Sequence, residues 1–322
     1  MNKKFLVPLM VIITLLVSAC GNKENGDKGT KETTTGNTLS VYTTVYPLQY
    51  FTERIGGEFV EVHSIYPLGA DEHSFDPTQK DMIALSDADL FFYIGLGLEG
   101  FVENAQKTLK GEHVELVATG AALSDDQLTE GQHDEEEEHE HDEHSHGQFD
   151  PHVWISPKLS IELAATIKDS LIAKMPEQEE YFSKNFSLLE DDLMELDERF
   201  KEMSADAKTK TFFVSHAAFG YIANEYGLTQ VAIAGLNSQS EPSQKQLTQI
   251  VEQAKKEKVH YILFEQNVSS KLTEVVRKEI GAESLTLHNL GVLTQEDVKN
   301  NETYFTLMER NLRLLEQALS GK

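Results

Sequence analysis

Three histidines of this chain stand where an extended run gives way to a turn or a helix: His73 in GADEHSFDPT, His152 in FDPHVWISP and His216 in FFVSHAAFGY. A single histidine in such a place is more often a hydrogen-bonded structural residue than a ligand. Three of them, each beside a turn-forming or helix-starting sequence, point to metal. Imidazoles without thiolate suit zinc best and also accommodate copper and nickel, whereas manganese prefers a larger share of carboxylate oxygen. Cys20 is the only cysteine, so no disulfide framework exists and thiolate plays no part in the chemistry. Three imidazoles and a water also describe a catalytic zinc, which makes a hydrolase the second reading. Against it, the chain has no HExxH and no nearby base in a convincing register.

Five further histidines, His133, His139, His141, His144 and His146, belong to the run HDEEEEHEHDEHSH. With no apolar residue to fold around, this run is expected to be disordered without metal. Its carboxylates raise the local cation concentration and its imidazoles offer weak, exchangeable coordination. A solvated spacer is the alternative. His152 therefore groups with His73 and His216, and the other five form an accessory tract.

The elements that must position the three histidines alternate regularly. From residue 39 the chain reads LSVYTTVY as a strand, a helix opened by Pro47, FVEVHSIYP as a strand, DPTQKDMIAL as a helix and ADLFFYIG as a strand, continuing through FVENAQKTLKG and HVELVATG. Ser156 and Pro157 can cap and open a helix just after His152. The alternation returns after residue 210, from KTFFVSH to ESLTLHNLG, and a helix closes the chain. This is the grammar of βαβ units, and it predicts an α/β fold of two lobes, each with a mostly parallel sheet flanked by helices. Ligands of such sheets bind beyond the carboxyl ends of the strands. His73 and His216 fall at such ends in different lobes, which predicts a site between them.

Phe182, Phe186, Leu189, Leu193, Leu196, Phe200 and Met203 recur at alternating spacings of four and three. They mark one face of a long helix over residues 177–204, about 40 Å at 1.5 Å per residue. It either joins the lobes as one rigid element or packs within a single domain. The resulting division is a signal peptide at 1–19, a lipidated flexible tether at 20–38, an N-terminal lobe at 39–175 carrying the loop 133–146, a linker helix at 176–206 and a C-terminal lobe at 207–322. The signal is read from Lys3 and Lys4, an apolar run over residues 5–17 and VSAC ending at Cys20. A small-residue pair before cysteine predicts lipidation of Cys20; an ordinary signal peptide with a free thiol is the alternative. The net charge of −26 argues against nucleic acid as a partner.

The sequence resembles the zinc- and manganese-binding lipoproteins of bacterial ABC importers. The segments TTVYPLQYF, EHSFDPT, DADLFFY, DPHVWISP, SHAAFGYIANEYGL, IAGLNSQSEPS and FEQNVSSK carry the resemblance, together with the His/acidic loop. It implies two α/β lobes joined by a long helix, a cleft site held by His73, His152 and His216, and a histidine-rich loop typical of zinc members. It implies a monomeric, non-enzymatic receptor, lipid-anchored on the extracellular face of the membrane, that delivers Zn²⁺ to a permease. A manganese receptor of the same family is the alternative. Zinc members with a fourth protein ligand carry glutamate in a late LxxLE motif, where this chain has LHNLG with Gly291. Water, His288, Glu265 or a loop histidine is the expected substitute, and Gly291→Glu is expected to add a ligand.

Overall fold

The computed structural model describes residues 38–130, 149–237, 240–266 and 270–321. The signal segment, Cys20, nearly all of the tether and the five histidines of the 133–146 loop lie outside the described residues.

The first lobe is built from β1 (Leu39–Thr43), α1 (Tyr46–Gly56), β2 (Val60–Ser64), α2 (Gln79–Ser86), β3 (Leu90–Tyr93), α3 (Val102–Thr108) and β4 (Glu115–Ala118). A 3₁₀ turn at Val153–Ile155 leads into α4 (Pro157–Lys174), and a second at Pro176–Gln178 leads into α5 (Glu179–Asp206). The second lobe follows as β5 (Thr211–Val214), α6 (Gly220–Glu225), β6 (Thr229–Ala232), α7 (Gln244–Glu257), β7 (Tyr261–Glu265), α8 (Lys271–Ile280), β8 (Glu283–Leu287), α9 (Gln295–Lys299) and α10 (Tyr304–Ala318). Among the described residues the strands form two four-stranded sheets, ordered β2-β1-β3-β4 and β6-β5-β7-β8, and every pairing is parallel.

Local chemistry explains where the elements begin. β1 ends at Thr43, and Pro47 sits in the first turn of α1. The Ser156 hydroxyl accepts from Leu159 N–H at 3.2 Å and Pro157 opens α4, as the sequence predicts. Pro242 lies ahead of the α7 cap, which is Ser243 in a capping box with Gln246. The five residues of α9, capped by Thr294 and Asp297, have no amphipathic period and escape a periodicity search.

Side chains on opposite faces of the second sheet enter different cores. Phe212, Val214 and Leu263 join the main core, while Phe213 and Ile262 join a smaller cluster with Ala254 and Val276. The main core continues without a break through Leu193 and Phe200 of α5 into Phe51, Phe91 and Leu163 of the first lobe. The predicted stripe on α5 is buried except for Phe186, which is partly covered, with the Lys168 ammonium 4.8 Å from its ring centroid. The 28 residues of α5 pack against α1 and α4 at one end and α10 at the other, so the helix belongs to both lobes. Phe182 meets Phe59 of the first lobe edge-to-face at 6.0 Å, and Phe200 stacks on Tyr226 of the second at 5.4 Å.

Phe182→Ala and Phe200→Ala are each expected to lower the unfolding free energy by about 3–5 kcal/mol. Urea denaturation measures this, and a loss below about 1 kcal/mol at either position would contradict a core that runs through the helix.

Candidate metal centre

The strand order of each sheet reverses beside its first strand, between β1 and β3 and between β5 and β7. Such switch points leave a crevice beyond the strand ends. In the first sheet Glu99 fills it. The Glu99 carboxylate accepts from Thr44 Oγ1 at 2.8 Å, Ile94 N–H at 2.8 Å and Gly95 N–H at 3.0 Å, while burial pushes it up to about 7. In the second sheet the crevice holds His216, which follows β5, with Glu265 at the end of β7.

His73 and His152 are delivered by matching turns. Each main-chain N–H donates at 2.9 Å to the aspartate two residues earlier, Asp71 for His73 and Asp150 for His152. These are Asx turns, so a D-x-H pattern is the sequence signal for both. The His73 loop is also tied across the protein, because Gly69 N–H donates to the Leu293 carbonyl at 2.9 Å.

The structure brings the three rings together. One ligand nitrogen from each of His73, His152 and His216 lies within 4.8 Å of the others. Ring centroids are 5.0 to 5.3 Å apart with the planes steeply inclined, so edges converge rather than stack. The Nε2 atoms of His73 and His152 are 3.2 Å apart, close to the edge of about 3.3 Å that 2.0–2.1 Å zinc–nitrogen bonds give a tetrahedron. His152 and His216 are fully buried and His73 is half-buried.

Carboxylates behind two rings fix their protons. Asp150 Oδ1 accepts from His152 Nδ1 at 2.8 Å, leaving Nε2 for the cluster. Glu265 accepts His216 Nδ1 at 3.0 and 3.1 Å through its two oxygens. His216 Nε2 donates to the Leu236 carbonyl at 2.8 Å, so without a cation this ring carries both protons. Burial opposes that charge, but Glu265, the Leu236 carbonyl and Glu72 outweigh it and hold the pKa up at about 9. His73 is the opposite case. Burial, reinforced by His152 and His216, holds it far below the usual range and keeps it neutral.

Of the protein side chains expected in the fourth position, His288 and Glu265 do not join the cluster, and the loop histidines lie outside the described residues. His288 Nδ1 accepts from Leu290 N–H at 2.9 Å and its Nε2 donates to Asp297 at 3.1 Å, so both nitrogens are engaged in holding the segment after β8. Glu265 is engaged with His216 Nδ1 through both of its oxygens and is not part of the cluster. The residue that sequence reasoning misses is Glu72. It is buried, burial followed by the charge of Glu265 pushes it up to about 7, and it interacts electrostatically with His216. A Cβ on Gly291 would meet Glu72 Oε1 at 2.6 Å and its Cδ at 2.7 Å. The space that a Gly291→Glu side chain needs is thus already taken by a carboxylate from the other lobe. The signal available in the sequence was only the adjacency of Glu72 to His73.

Comparison with known proteins gives a consistent result. The profile of the family described as zinc-uptake complex component A, periplasmic, matches residues 41–318. The zinc-binding lipoprotein AdcA of Streptococcus pneumoniae is 38% identical over 316 residues, which is 98% of this chain and 61% of AdcA. The chain therefore spans about three-fifths of that relative. The high-affinity zinc uptake system protein ZnuA of Bacillus subtilis is 38% identical over 309 residues, 96% of this chain and 95% of that one. Among solved structures, the Zn(II)-bound ZnuA-like domain of Streptococcus pneumoniae AdcA superposes with a TM-score of 0.73 at 36% identity, covering 88% of this chain and 100% of that one.

Gly291→Ala is expected to destabilise the metal-free protein by about 1–3 kcal/mol through overpacking against Glu72, and much less in a Glu72→Ala background. Thermal melts of the double-mutant cycle measure the coupling. Equal losses in both backgrounds would mean that Glu72 is not what excludes a side chain there.

Proposed function

The chain belongs to the family of periplasmic zinc-uptake complex component A, and from that premise we propose that it is the zinc receptor of an ABC importer, which captures Zn²⁺ between its lobes and hands it to a membrane permease. The observation that carries this reading is the cluster of three imidazole nitrogens, two of them backed by carboxylates. A nitrogen-rich set favours zinc over manganese. His73, His152 and His216 are the ligands. The cation displaces the Leu236 carbonyl from His216, and the fourth position falls to water or to Glu72. Cys20 carries the lipid that holds the receptor, acting as a monomer, on the extracellular face of the membrane. The histidines of the 133–146 loop add weak, exchangeable binding. The domain division at 175/176 and 206/207 follows from the same reading, with α5 as the joining helix.

Transport differs from zinc hydrolysis in that the cation is cargo and must leave. Metal transfer to the apo-permease, measured beside hydrolysis of generic ester and phosphate substrates, separates the two. Hydrolytic turnover without transfer would replace this reading with the enzyme.

His73→Ala, His152→Ala and His216→Ala are each expected to weaken zinc binding by at least about 100-fold, since loss of even an outer hydrogen-bond partner costs a metal site 10–100-fold. Titration calorimetry with a competing chelator is the measurement, and full affinity in any one variant removes that histidine from the site.

Trp154 is the sole tryptophan, fully buried, with its ring 5.3 Å from that of His152. Zinc is expected to change its fluorescence with saturation at one equivalent. Deletion of residues 133–146 should leave this phase intact and remove the additional weak equivalents; a tight phase that vanishes with the loop would place the loop in the primary site.

A further inference from the structure

The segment that follows β8 contributes no histidine to the cluster, yet one of its residues, Asn289, bonds neighbours of all three. Asn289 is buried. Its Nδ2 donates to Glu72 Oε1 at 2.8 Å and to Glu265 Oε2 at 2.9 Å. Its Oδ1 accepts from Gly291 N–H at 2.9 Å and from Gln266 Nε2 at 3.0 Å. Its main-chain carbonyl accepts the Trp154 indole N–H at 2.7 Å. The Gly291 main-chain N–H only donates, so it fixes Oδ1 towards Gly291 and Nδ2 towards the two carboxyl groups.

Each link ends beside a different histidine. Glu72 precedes His73 in the chain, Trp154 lies two residues beyond His152, and Glu265 receives the Nδ1 proton of His216. Asn289 itself touches none of the three rings among the described contacts. We propose that Asn289 is the positioning residue of the three-histidine site, holding Glu72 and Glu265 apart on its two amide protons and so fixing the ring of His216 against those of His73 and His152. The proposal rests on the reading that these histidines bind a divalent cation.

The chemistry favours a carboxamide here. It donates twice and accepts twice from one short side chain, and all four capacities are used. Without the amide, two buried carboxyl groups lose the donor that they share. Glu265 then loses the contact that keeps both its oxygens on His216. A site whose outer hydrogen-bond partner is lost typically drops 10–100-fold in metal affinity.

The test uses the full chain with Zn²⁺ and, separately, with Co²⁺, whose visible ligand-field bands report coordination geometry. Wild-type protein that takes up neither ion removes the site, and the proposal with it, independently of any variant. Given wild-type binding, Asn289→Ala is expected to weaken zinc by about 10–100-fold and to shift the cobalt bands. Wild-type bands in this variant overturn the proposal, because a fall in affinity alone would reflect general loosening of the fold. Zinc affinity within about two-fold of wild type overturns it as well. Should Asn289→Ala fail to fold, Asn289→Asp keeps the volume and both accepting contacts while removing the two donors. Shifted cobalt bands in that variant support the proposal, and wild-type bands overturn it.

Discussion

The nitrogens of His73 and His152 face each other across 3.2 Å, one residue half-buried and the other fully buried, with a third imidazole against both. Nothing apolar draws such groups together, and burial makes their charged forms costly. The surrounding structure is an answer to that constraint. Asp150 binds both the main chain and the ring of His152, so the residue is anchored twice by a single oxygen. Glu265 grips His216 with both of its oxygens. The His152 ring, held in this way with Nε2 turned to the cluster, has little freedom left to lose to the proposed cation, and preorganisation of that kind raises affinity without adding contacts.

Two sheets of the same strand order treat the same crevice differently. In the first lobe Glu99 turns inward and uses its own carboxylate to satisfy Thr44, Ile94 and Gly95, closing the space that a ligand would otherwise occupy. In the second lobe Glu265 turns to a histidine instead, and the crevice remains available for chemistry. The difference lies in which partner a buried glutamate finds, not in topology.

Much of the architecture was legible in the sequence because it is written in short-range signals. Pro47, Ser156 and Pro157 mark helix starts through backbone geometry and capping, and the period of α5 follows from Phe182 to Met203. The association of His73, His152 and His216 was legible from their places at strand ends and before a helix. Glu72 was not, because an acidic residue in a loop has no period and only its burial beside Gly291 distinguishes it. His288 misleads for the complementary reason. Its spacing in LHNLG says nothing of Leu290 folding back onto Nδ1 or of Asp297 reaching Nε2 from α9. Contacts between lobes are set by tertiary packing, and no local pattern encodes them.

The helix α5 and the core it shares with both sheets limit how the cleft can breathe. A wide hinge motion would peel apolar side chains from a common interior. Exposing about 200 Å² of such surface costs about 5 kcal/mol, which leaves an open population on the order of one molecule in several thousand. Thermal gaping on that scale is a poor route for an ion to depart. For the proposed cargo, small displacements of the turns around the rings avoid that cost, and a surface that gripped those turns would shorten its residence without disturbing the frame.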